Sequence, residues 1–416
     1  MIEGCKNLRG YLLGEKLSHT FSPQIHSLLG DYSYGVKEVR ADNLEDYIKT
    51  ADFDFLNVTI PYKKDVIKYL SSLSREAEAI GAVNTIKKMP NGCLCGYNTD
   101  YYGFEYTIKK SGIDVLNKKV IVLGSGGASM PIKAVLKDLG AKEIITVSRS
   151  GENNYDNIEK HYDADIIVNT TPVGMFPSNG DALIDLSEFK SCCGVIDIIY
   201  NPMKTALIIQ AEALGIKCCG GLAMLVAQAK KAAEIFTDKE INDSEIDKIE
   251  KIISNEMNNI VLVGMPSCGK STIGQRVAEK IGKTFFDSDV EFVKSFGITP
   301  ADAITTLGVD KFRQMEHEII KELGKKTKCV ISTGGGVVTR SENYSPLAQN
   351  GLIFFIERSL DDLTTKNRPI SKTVGIDKLY EERLPLYLEF CDHRVYNDST
   401  VENAANKIIE LVKAGI

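Results

Sequence analysis

The chain has 416 residues, of which 43% are hydrophobic and 25% are charged, and its formal net charge is -6. Since roughly 100–200 residues make one domain, this length predicts about two to four domains, each large enough to bury a core. The mildly acidic balance, without clustered Lys and Arg, excludes a typical nucleic-acid-binding or anionic-membrane-binding protein.

The spacing of the ten cysteines does not fit the paired CxxC pattern of a zinc site. We therefore expect free thiols in a reducing compartment. The first residues lack the apolar core of a signal peptide, and no apolar run approaches the roughly 20 residues that span a bilayer. Together these features predict a cytoplasmic protein.

Polar clusters interrupt the first 105 residues, which we predict to form a separate α/β substrate-binding domain with a strand at 55–60. The clusters are rich in hydroxyl and amide side chains and lie at 18–23, 57–63, 81–85 and 98–100. Each cluster alone is typical of a turn, because Asn, Asp and Ser stabilise turns locally. Their succession before a nucleotide-binding motif indicates a small polar ligand.

A glycine-rich turn follows the predicted strand Val120–Leu123, and a helix and a second strand, Ile144–Val147, are expected after it. Glycines at such a turn let the backbone approach a pyrophosphate at the positive end of the helix dipole. This order predicts a Rossmann-type dinucleotide-binding domain over 106–220, although a tight turn without a ligand would show the same glycines. The residues expected to bind the cofactor are Gly124, Ser125, Gly126, Gly127 and Ala128.

The end of the second strand indicates which dinucleotide is bound. Sites for NAD usually carry a carboxylate there, whereas sites for NADP carry a cation for the 2′-phosphate. This chain has Ser148, Arg149 and Ser150, which favours NADP. The alternative is that Arg149 is only a solvated surface charge.

The polar stretch 237–257 is predicted to be a linker that contains an amphipathic helix, because isoleucines recur at helical spacing between Ile246 and Ile253. Helices within 221–256 are expected to complete the first domain. A further domain is expected to run from 258 to 416.

The segment Gly264–Ser271 fits the pattern G-x-x-x-x-G-K-[ST] and follows the apolar strand Ile260–Val263. In this context backbone N–H groups hold phosphates, the lysine reaches the outer phosphates and the hydroxyl binds Mg²⁺. The segment predicts a P-loop domain with a parallel sheet that binds ATP and Mg²⁺. The residues expected to contact the nucleotide are Gly264, Gly269, Lys270, Ser271 and Thr272.

Carboxylates and arginines after the P-loop indicate the chemistry. Asp287 and Asp289 lie at i and i+2 at the end of a predicted strand, where their side chains would share a face. One carboxylate can then serve Mg²⁺ and the other a substrate hydroxyl. Further candidates are Arg313, Glu316, the glycines at 334–336, Arg368 and Arg383.

Residues 10–236 resemble shikimate dehydrogenase through the blocks HTFSP, NVTIPYK, GAVNT, NTD, GSGGAS, NTTPVGM, DIIYNP and GLAMLVAQ. The resemblance implies NADPH-dependent reduction of 3-dehydroshikimate to shikimate, with Lys63 and Asp100 as the catalytic pair. A lysine beside the ring ketone can donate a proton to the developing alkoxide. The resemblance also implies that Ile198, Tyr200 and Gly221 line the nicotinamide side and that the substrate is bound by Thr20, Ser22, Thr59, Asn84 and Gln228.

Two positions depart from that family's pattern. Thr20 stands where the family usually has serine, which leaves quinate open as a substrate. After Arg149 the chain reads Gly151-Glu152-Asn153, where the family often has a second basic residue, and this leaves NAD open as a cofactor.

Residues 258–416 resemble shikimate kinase, which transfers the γ-phosphoryl group of ATP to the 3-hydroxyl of shikimate. The resemblance implies that Lys270 and Asp289 are catalytic and that Ser271 and Asp287 hold Mg²⁺. Shikimate would be bound by Arg313, Gly335 and Arg383, since guanidinium groups pair well with a planar carboxylate. Arg368 would come from a lid and neutralise charge on the transferred phosphoryl group.

The lid stretch 363–367 is shorter than is usual in that family and lacks an arginine often found there. The sequence nevertheless predicts a bifunctional α/β enzyme whose two halves act on the same small molecule. The alternative is a quinate or shikimate dehydrogenase joined to a non-catalytic, regulatory kinase-like module. The expected partners are small molecules, and the oligomeric state is left open.

Overall fold

The computed structural model describes residues 4–17, 20–363 and 375–414, and within them the chain forms three β-sheets. The α/β architecture predicted from the sequence is confirmed. In the described part of the chain, no helix is both long and apolar enough to cross a membrane. The chain divides into two compact units, the first made of Met1–Val173, Ala182–Tyr200 and Gln210–Glu250 and the second of Gly174–Asp181, Asn201–Ile209 and Lys251–Ile416.

The first sheet mixes parallel and antiparallel pairs. Its strands are β1 (Arg9–Gly14), β2 (Ser33–Glu38), β3 (Phe55–Val58), β4 (Ser72–Leu73), β5 (Thr85–Lys88) and β6 (Leu94–Tyr97), in the order β2-β1-β3-β5-β6-β4. The accompanying helices are α1 (Ser22–Leu29), α2 (Leu44–Thr50), α3 (Arg75–Ile80) and α4 (Thr99–Ser111). Strand β3 is buried along its whole length, so the loop that follows it starts from a fixed position.

The second sheet is entirely parallel, and its central strands are continuous apolar runs, as expected for strands covered on both faces. Its strands are β7 (Lys119–Leu123), β8 (Glu143–Val147), β9 (Ile166–Asn169), β10 (Gly194–Asp197) and β11 (Lys217–Cys219), with helices α5 (Ser129–Asp138) and α6 (Ala206–Ala213). The order β11-β10-β9-β7-β8 reverses direction between β7 and β9. Ligands of doubly wound sheets bind at such a switch point.

Two helices, α7 (Leu222–Thr237) and α8 (Ser244–Met257), follow the second sheet. Helix α7 packs along α4 and α1, and Phe236 stacks on Phe55 with ring centroids 3.7 Å apart. Helix α8 is the amphipathic helix predicted in the linker: Ile246 and Ile249 are buried, whereas Ile252 is 46% exposed.

The third sheet is also parallel and has the order β13-β14-β12-β15-β16, with strands β12 (Asn259–Val263), β13 (Thr284–Asp287), β14 (Cys329–Ser332), β15 (Gly351–Glu357) and β16 (His393–Tyr396). Its helices are α9 (Lys270–Ile281), α10 (Ser288–Phe296), α11 (Pro300–Leu307), α12 (Val309–Gly324), α13 (Tyr344–Ala348), α14 (Ile376–Phe390) and α15 (Val401–Ala414). Strand β12 is central and fully buried, and α9 starts just after it. The loop between them is therefore anchored at both ends.

A buried histidine lies among the aromatic side chains of the first sheet. His26 is 1% exposed, stacks on Tyr34 with ring centroids 3.9 Å apart, and its Nδ1 lies 2.7 Å from the hydroxyl of Tyr32. Burial lowers the pKa of His26 from 6.5 to about 3. The imidazole is therefore neutral in the folded protein near neutral pH.

This histidine predicts acid sensitivity of the first unit. Because the folded-state pKa of about 3 lies below the unfolded value of 6.5, the unfolded chain binds more protons in this range and stability falls as pH falls below 6.5. Lowering the pH from 7 to 5 should cost about 2 kcal/mol through His26 alone. Urea unfolding, followed by circular dichroism at both pH values, measures the free energy of unfolding. Between pH 7 and pH 5 this free energy should fall by about 2 kcal/mol less in His26→Gln than in the parent. Equal losses in the two proteins would refute the assignment.

Candidate functional site

A lysine and a carboxylate form an ion pair in the first unit. Lys63 lies in the loop after β3, and its Nζ is 2.6 Å from Oδ2 of Asp100, whose side chain is 13% exposed. Asp100 belongs to the first turn of α4, where the helix dipole favours a negative charge. The ammonium group has three N–H donors, so it can serve Asp100 and still donate to a ligand. The structure thus brings together the predicted catalytic pair.

Amide side chains next to this ion pair are held by Thr99. The Thr99 backbone N–H donates to Oδ1 of Asn84 at 2.7 Å, and Nδ2 of Asn84 donates to the Thr99 hydroxyl at 3.1 Å. The same hydroxyl lies 3.4 Å from Oε1 of Gln228 on α7. Two predicted substrate-binding residues therefore meet at Thr99, which lies in the predicted polar cluster 98–100 but was assigned no role of its own.

Hydroxyl groups meet at the start of α1. The Thr20 hydroxyl donates to Oγ of Ser22 at 3.1 Å and accepts from the Ser22 backbone N–H at 3.1 Å. Between them, the Phe21 ring packs edge-on against the ring of Tyr200, with centroids 5.7 Å apart. Thr59 is partly exposed just after β3. Ser18 and His19, from the same motif, lie outside the described residues.

The glycine-rich turn after β7 has room for a ligand. A Cβ atom at Gly126 or Gly127 would meet no atom within 4 Å, whereas one at Gly124 would lie 2.8 Å from the side chain of Thr171. Gly124 has φ 102°, a left-handed conformation that favours glycine. Ser125 and Ala128 complete the turn before α5. The open backbone at a helix N-terminus fits the pyrophosphate of a dinucleotide.

The predicted specificity residues follow β8. Ser148, Arg149 and Ser150 form a turn that is closed by a hydrogen bond from the Ser148 N–H to the Asn153 carbonyl at 3.1 Å. Arg149 is exposed. Burial raises the pKa of Tyr155, and the positive charge of Arg149 opposes this rise, which places the guanidinium group near that ring. A cation at this edge fits a ribose 2′-phosphate.

Backbone segments meet tightly on the predicted nicotinamide side. The N–H of Gly221 donates to the Ile199 carbonyl at 2.9 Å. A Cβ atom at Gly221 would lie 2.0 Å from the Ile198 carbonyl oxygen. Ile198 and Tyr200 are thus held next to the start of α7 by a contact that only glycine permits.

In the second unit the P-loop lysine is folded onto its own loop. Lys270 is 7% exposed, and its Nζ donates to the carbonyl oxygens of Gly264 and Met265, each at 2.9 Å. The Ser271 hydroxyl donates to Oδ2 of Asp287 at 2.5 Å and lies 3.1 Å from the Ser332 hydroxyl. A hydroxyl and a carboxylate at this spacing are suitable ligands for Mg²⁺. Thr272 is exposed in the first turn of α9.

The predicted strand geometry of the acidic pair is wrong. Strand β13 ends at Asp287, and Asp289 lies in the first turn of α10. The Asp287 carboxylate caps that helix by accepting a hydrogen bond from the Asp289 N–H at 3.0 Å, because an aspartate before a helix satisfies an otherwise unpaired N–H. The two side chains therefore do not share the face of a strand. Oδ1 of Asp289 instead lies 3.2 Å from the position of a Cβ at Gly334.

Two arginines converge on the glycine loop after β14. Nη1 of Arg383 donates to the Gly335 carbonyl at 3.0 Å, and Nη1 of Arg313 lies 2.5 Å from Oε2 of Glu316. Burial raises the pKa of Glu316, while the charge of Arg313 opposes the rise. A Cβ at Gly336 would lie 1.8 Å from Nη2 of Arg313, so glycine makes room for that guanidinium group.

Two supporting residues were missed by the sequence analysis. The buried Tyr387 hydroxyl donates to the Gly335 carbonyl. Nδ2 of Asn397, just after β16, donates to the Cys268 carbonyl at 2.9 Å and so braces the P-loop. Tyr387 ends the stretch 383–387 that contains the predicted Arg383, but it was assigned no role; Asn397 belongs to no motif, and only its place after a strand could have drawn attention to it. Arg368, predicted in the lid, lies outside the described residues.

Two family models match different parts of the chain. A family model described as shikimate dehydrogenase substrate binding domain matches residues 12–86, and one described as shikimate kinase matches residues 266–413. The shikimate dehydrogenase (NADP(+)) of Clostridium beijerinckii is 40% identical over 264 residues, which cover 59% of this chain and 97% of that protein. The chain belongs to the shikimate dehydrogenase family. Its carboxy-terminal part additionally matches the shikimate kinase family.

Solved structures of shikimate dehydrogenases share the fold. A chorismate mutase/shikimate 5-dehydrogenase fusion protein from Clostridium acetobutylicum has a TM-score of 0.57 and 36% identity, covering 59% of this chain and 97% of that chain. Shikimate 5-dehydrogenase from Thermus thermophilus, in complex with NADP(H) and shikimate, has a TM-score of 0.54 and 29% identity, and the match covers 59% of this chain and 99% of that chain. Quinate dehydrogenase from Corynebacterium glutamicum, in complex with NAD, has a TM-score of 0.54 and 26% identity, and the match covers 58% of this chain and 98% of that chain.

The dehydrogenase half contains glycines with opposite surroundings, and this predicts opposite effects of substitution. Gly221→Ala should lower the free energy of unfolding of the first unit by about 1–3 kcal/mol, because its Cβ meets a backbone oxygen that cannot move freely. Gly126→Ala, with open space around its Cβ, is the matched control and should unfold like the parent. Thermal denaturation followed by circular dichroism measures both variants. A Gly221→Ala protein as stable as Gly126→Ala would contradict the observed contact.

Proposed function

We propose that the chain is a bifunctional enzyme that reduces 3-dehydroshikimate to shikimate with NADPH and phosphorylates the 3-hydroxyl of shikimate with ATP. The ion pair of Lys63 and Asp100 at 2.6 Å, beside amides that can read ring hydroxyls, carries the first activity. The P-loop and the two arginines at Gly335 support the second. In this proposal, residues 1–105 form the substrate-binding domain of the dehydrogenase and residues 106–220 its dinucleotide-binding domain. Residues 237–257 form the linker, and residues 258–416 form the kinase domain.

Lys63 would act on the ring ketone of 3-dehydroshikimate. A bound nicotinamide supplies the hydride, and the remaining task of the protein is to place the ketone and stabilise its oxygen. The Lys63 ammonium group donates a hydrogen bond to that oxygen and gives up a proton as negative charge develops there. Asp100 keeps the ammonium group oriented through the ion pair at 2.6 Å.

Small polar groups would bind the remainder of the substrate. Thr20 and Ser22 offer two adjacent hydroxyls for a carboxylate. Asn84 and Gln228 offer amides, and Thr59 a hydroxyl, for the ring hydroxyl groups. A site that pairs each substrate hydroxyl rejects analogues that lack one, because its own buried polar groups would be left unpaired.

Arg149 would select NADP by pairing with its 2′-phosphate, while Gly126 and Gly127 would admit the pyrophosphate at the N-terminus of α5. Both groups lie at the carboxyl ends of neighbouring parallel strands. The fit to NADP depends on one exposed cation, since the stretch 151–153 that follows carries no second one.

In the kinase part, Asp289 would accept the proton of the 3-hydroxyl of shikimate, and Arg313 with Arg383 would pair with its carboxylate. Lys270 would leave the loop carbonyls that it contacts and bind the outer phosphates of ATP. The Asp287 carboxylate is already oriented by the helix that it caps, which fits it to hold Mg²⁺ with Ser271. Positioning and charge neutralisation account for most phosphoryl-transfer catalysis.

Reciprocal substitutions test the two activities in the full chain. Lys63→Ala should lower kcat for NADP⁺-dependent shikimate oxidation by roughly 10²–10⁴-fold and leave phosphorylation unchanged, because it removes only the group that exchanges a proton with the substrate oxygen. Lys270→Ala should lower shikimate-dependent ADP release by roughly 10²-fold or more and leave oxidation unchanged. Absorbance at 340 nm and a coupled ADP assay measure the two reactions.

Two outcomes would contradict the proposal. Loss of both activities in either folded variant would exclude separate sites. If the parent protein releases no ADP above background with shikimate, the carboxy-terminal part is instead a non-catalytic binding module, as the short stretch at 363–367 also permits.

The cofactor preference gives a separate prediction. Arg149→Ala should raise KM for NADP⁺ by about tenfold or more and leave KM for NAD⁺ unchanged, since a charge-assisted hydrogen bond to the 2′-phosphate contributes roughly 1.5–3 kcal/mol. Lys142→Ala removes an exposed cation just before β8, at the opposite end of that strand, and is the matched control. Steady-state kinetics with shikimate and with quinate measure both preferences. A parent enzyme that prefers NAD⁺ would overturn the role assigned to Arg149.

A further inference from the structure

The two groups of predicted substrate-binding residues lie on different elements of the first unit. Ser22 is on α1, whereas Asn84 precedes β5. Both must keep a fixed geometry if they are to bind opposite parts of one small ring. The side chains behind them show how that geometry is held.

Tyr34, on β2, lies beside Ser22 and Asn57. Its hydroxyl donates to Oδ1 of Asn57 at 2.8 Å, and the Ser22 side chain is close enough to oppose the effect of burial on the pKa of this phenol. Burial raises the pKa of Tyr34 far above its ordinary value, so the phenol is neutral and has one proton to donate. Since Asn57 takes that proton, the phenol oxygen is left as an acceptor for Ser22.

Asn57 continues this path of hydrogen bonds across the sheet. It is 6% exposed on β3, and its Nδ2 donates to the Thr85 hydroxyl at 3.1 Å. The Thr85 hydroxyl in turn donates to Oδ1 of Asn84 at 3.0 Å. Asn57 also lies beside the imidazole of His26: burial lowers the pKa of His26, and Asn57 opposes this lowering without reversing it. Asn57 accepts at Oδ1 and donates at Nδ2, so a flip of its amide would require the Tyr34 and Thr85 hydroxyls to exchange their donor and acceptor roles.

The same bonds set the orientation of Asn84. Its Oδ1 accepts from both Thr85 and the Thr99 N–H, and one N–H of its Nδ2 donates to the Thr99 hydroxyl. An amide nitrogen carries two N–H donors. The second N–H of Asn84 is therefore the group presented to a ligand, and its direction depends on the chain of hydrogen bonds that begins at Tyr34.

We infer that Tyr34 is a positioning residue that couples Ser22 to Asn84 through Asn57 and Thr85, so that the carboxylate-binding hydroxyl and the ring-binding amide are arranged before shikimate arrives. The inference rests on the proposed substrate roles of Ser22 and Asn84. Preorganised polar groups bind more tightly because less ordering accompanies binding.

Tyr34→Phe tests this role in the full chain. The substitution keeps the ring that stacks on His26 but removes the hydroxyl. KM for shikimate in the dehydrogenase reaction should rise about tenfold, as expected for loss of a buried hydrogen bond, while KM for NADP⁺ stays within about twofold. The KM of the kinase reaction for shikimate should not change, and it is an internal control with the same substrate.

Tyr32→Phe is the matched control variant. It also removes one phenol hydroxyl, which lies 2.7 Å from Nδ1 of His26 and so reaches the path from Ser22 to Asn84 only indirectly, through the imidazole beside Asn57. Its KM for shikimate should stay within about twofold of the parent. If both tyrosine variants raise this KM equally, the effect is general loosening of the core and the inference is overturned.

A double-mutant cycle with Ser22→Ala separates this inference from the proposed function. Ser22→Ala alone should raise KM for shikimate; if it does not, the proposed role of Ser22 fails. With that effect present, Tyr34→Phe should add less in the Ser22→Ala background than in the parent, because the two neighbouring side chains belong to one inferred path. Full additivity, or no effect of Tyr34→Phe alone, overturns the inference and leaves the proposed function standing.

Thr85→Val provides a second route if Tyr34→Phe does not fold. Thr85 is fully buried, and valine has nearly the same shape without the hydroxyl that links Asn57 to Asn84. KM for shikimate should again rise about tenfold with KM for NADP⁺ unchanged. A folded Thr85→Val protein with the parent's KM for shikimate would also overturn the inference.

Discussion

In a parallel sheet all strands point the same way, so the loops at their carboxyl ends share one edge, and this constraint organises the second and third sheets. In the second sheet, the glycine-rich turn after β7 and the Arg149 turn after β8 meet there. In the third sheet, the P-loop follows β12, Asp287 ends β13 and the glycine loop follows β14. Residues that are far apart in sequence become neighbours because their strands are paired, and each sheet presents its polar groups at one rim.

Buried hydrogen bonds then decide how the polar groups at those rims point. A buried amide or hydroxyl without a partner is costly, so its orientation follows from its neighbours. Thr99 holds Asn84 and Gln228, and Asn397 braces the P-loop from the end of a distant strand. Such residues need not touch a substrate, but they limit the geometries that the contacting residues can adopt.

Glycines serve two different purposes in this chain. Gly126 and Gly127 leave open space in front of a helix N-terminus, where a ligand can approach the backbone. Gly221 and Gly336 are instead required because protein atoms already fill the space, a backbone carbonyl in one case and the Arg313 guanidinium group in the other. One class of glycine makes room for a ligand, and the other allows parts of the protein to pack closely around the site.

The sequence by itself determined the α/β class and the position of both glycine-rich turns, because strand, glycine turn and helix signals are local. Only the tertiary structure decided what needs long-range contacts: Lys63 meets Asp100 across 37 residues, and Asn397 meets Cys268 across 129. It also showed that Asp289 lies in a helix and not in the predicted strand. Two acidic residues at i and i+2 occur both at the end of a strand and at the capped start of a helix, so the local pattern does not distinguish the two. Hydrogen-bond partners such as Thr99, Tyr34 and Tyr387 could not be predicted, because they depend on which strands and helices pack side by side.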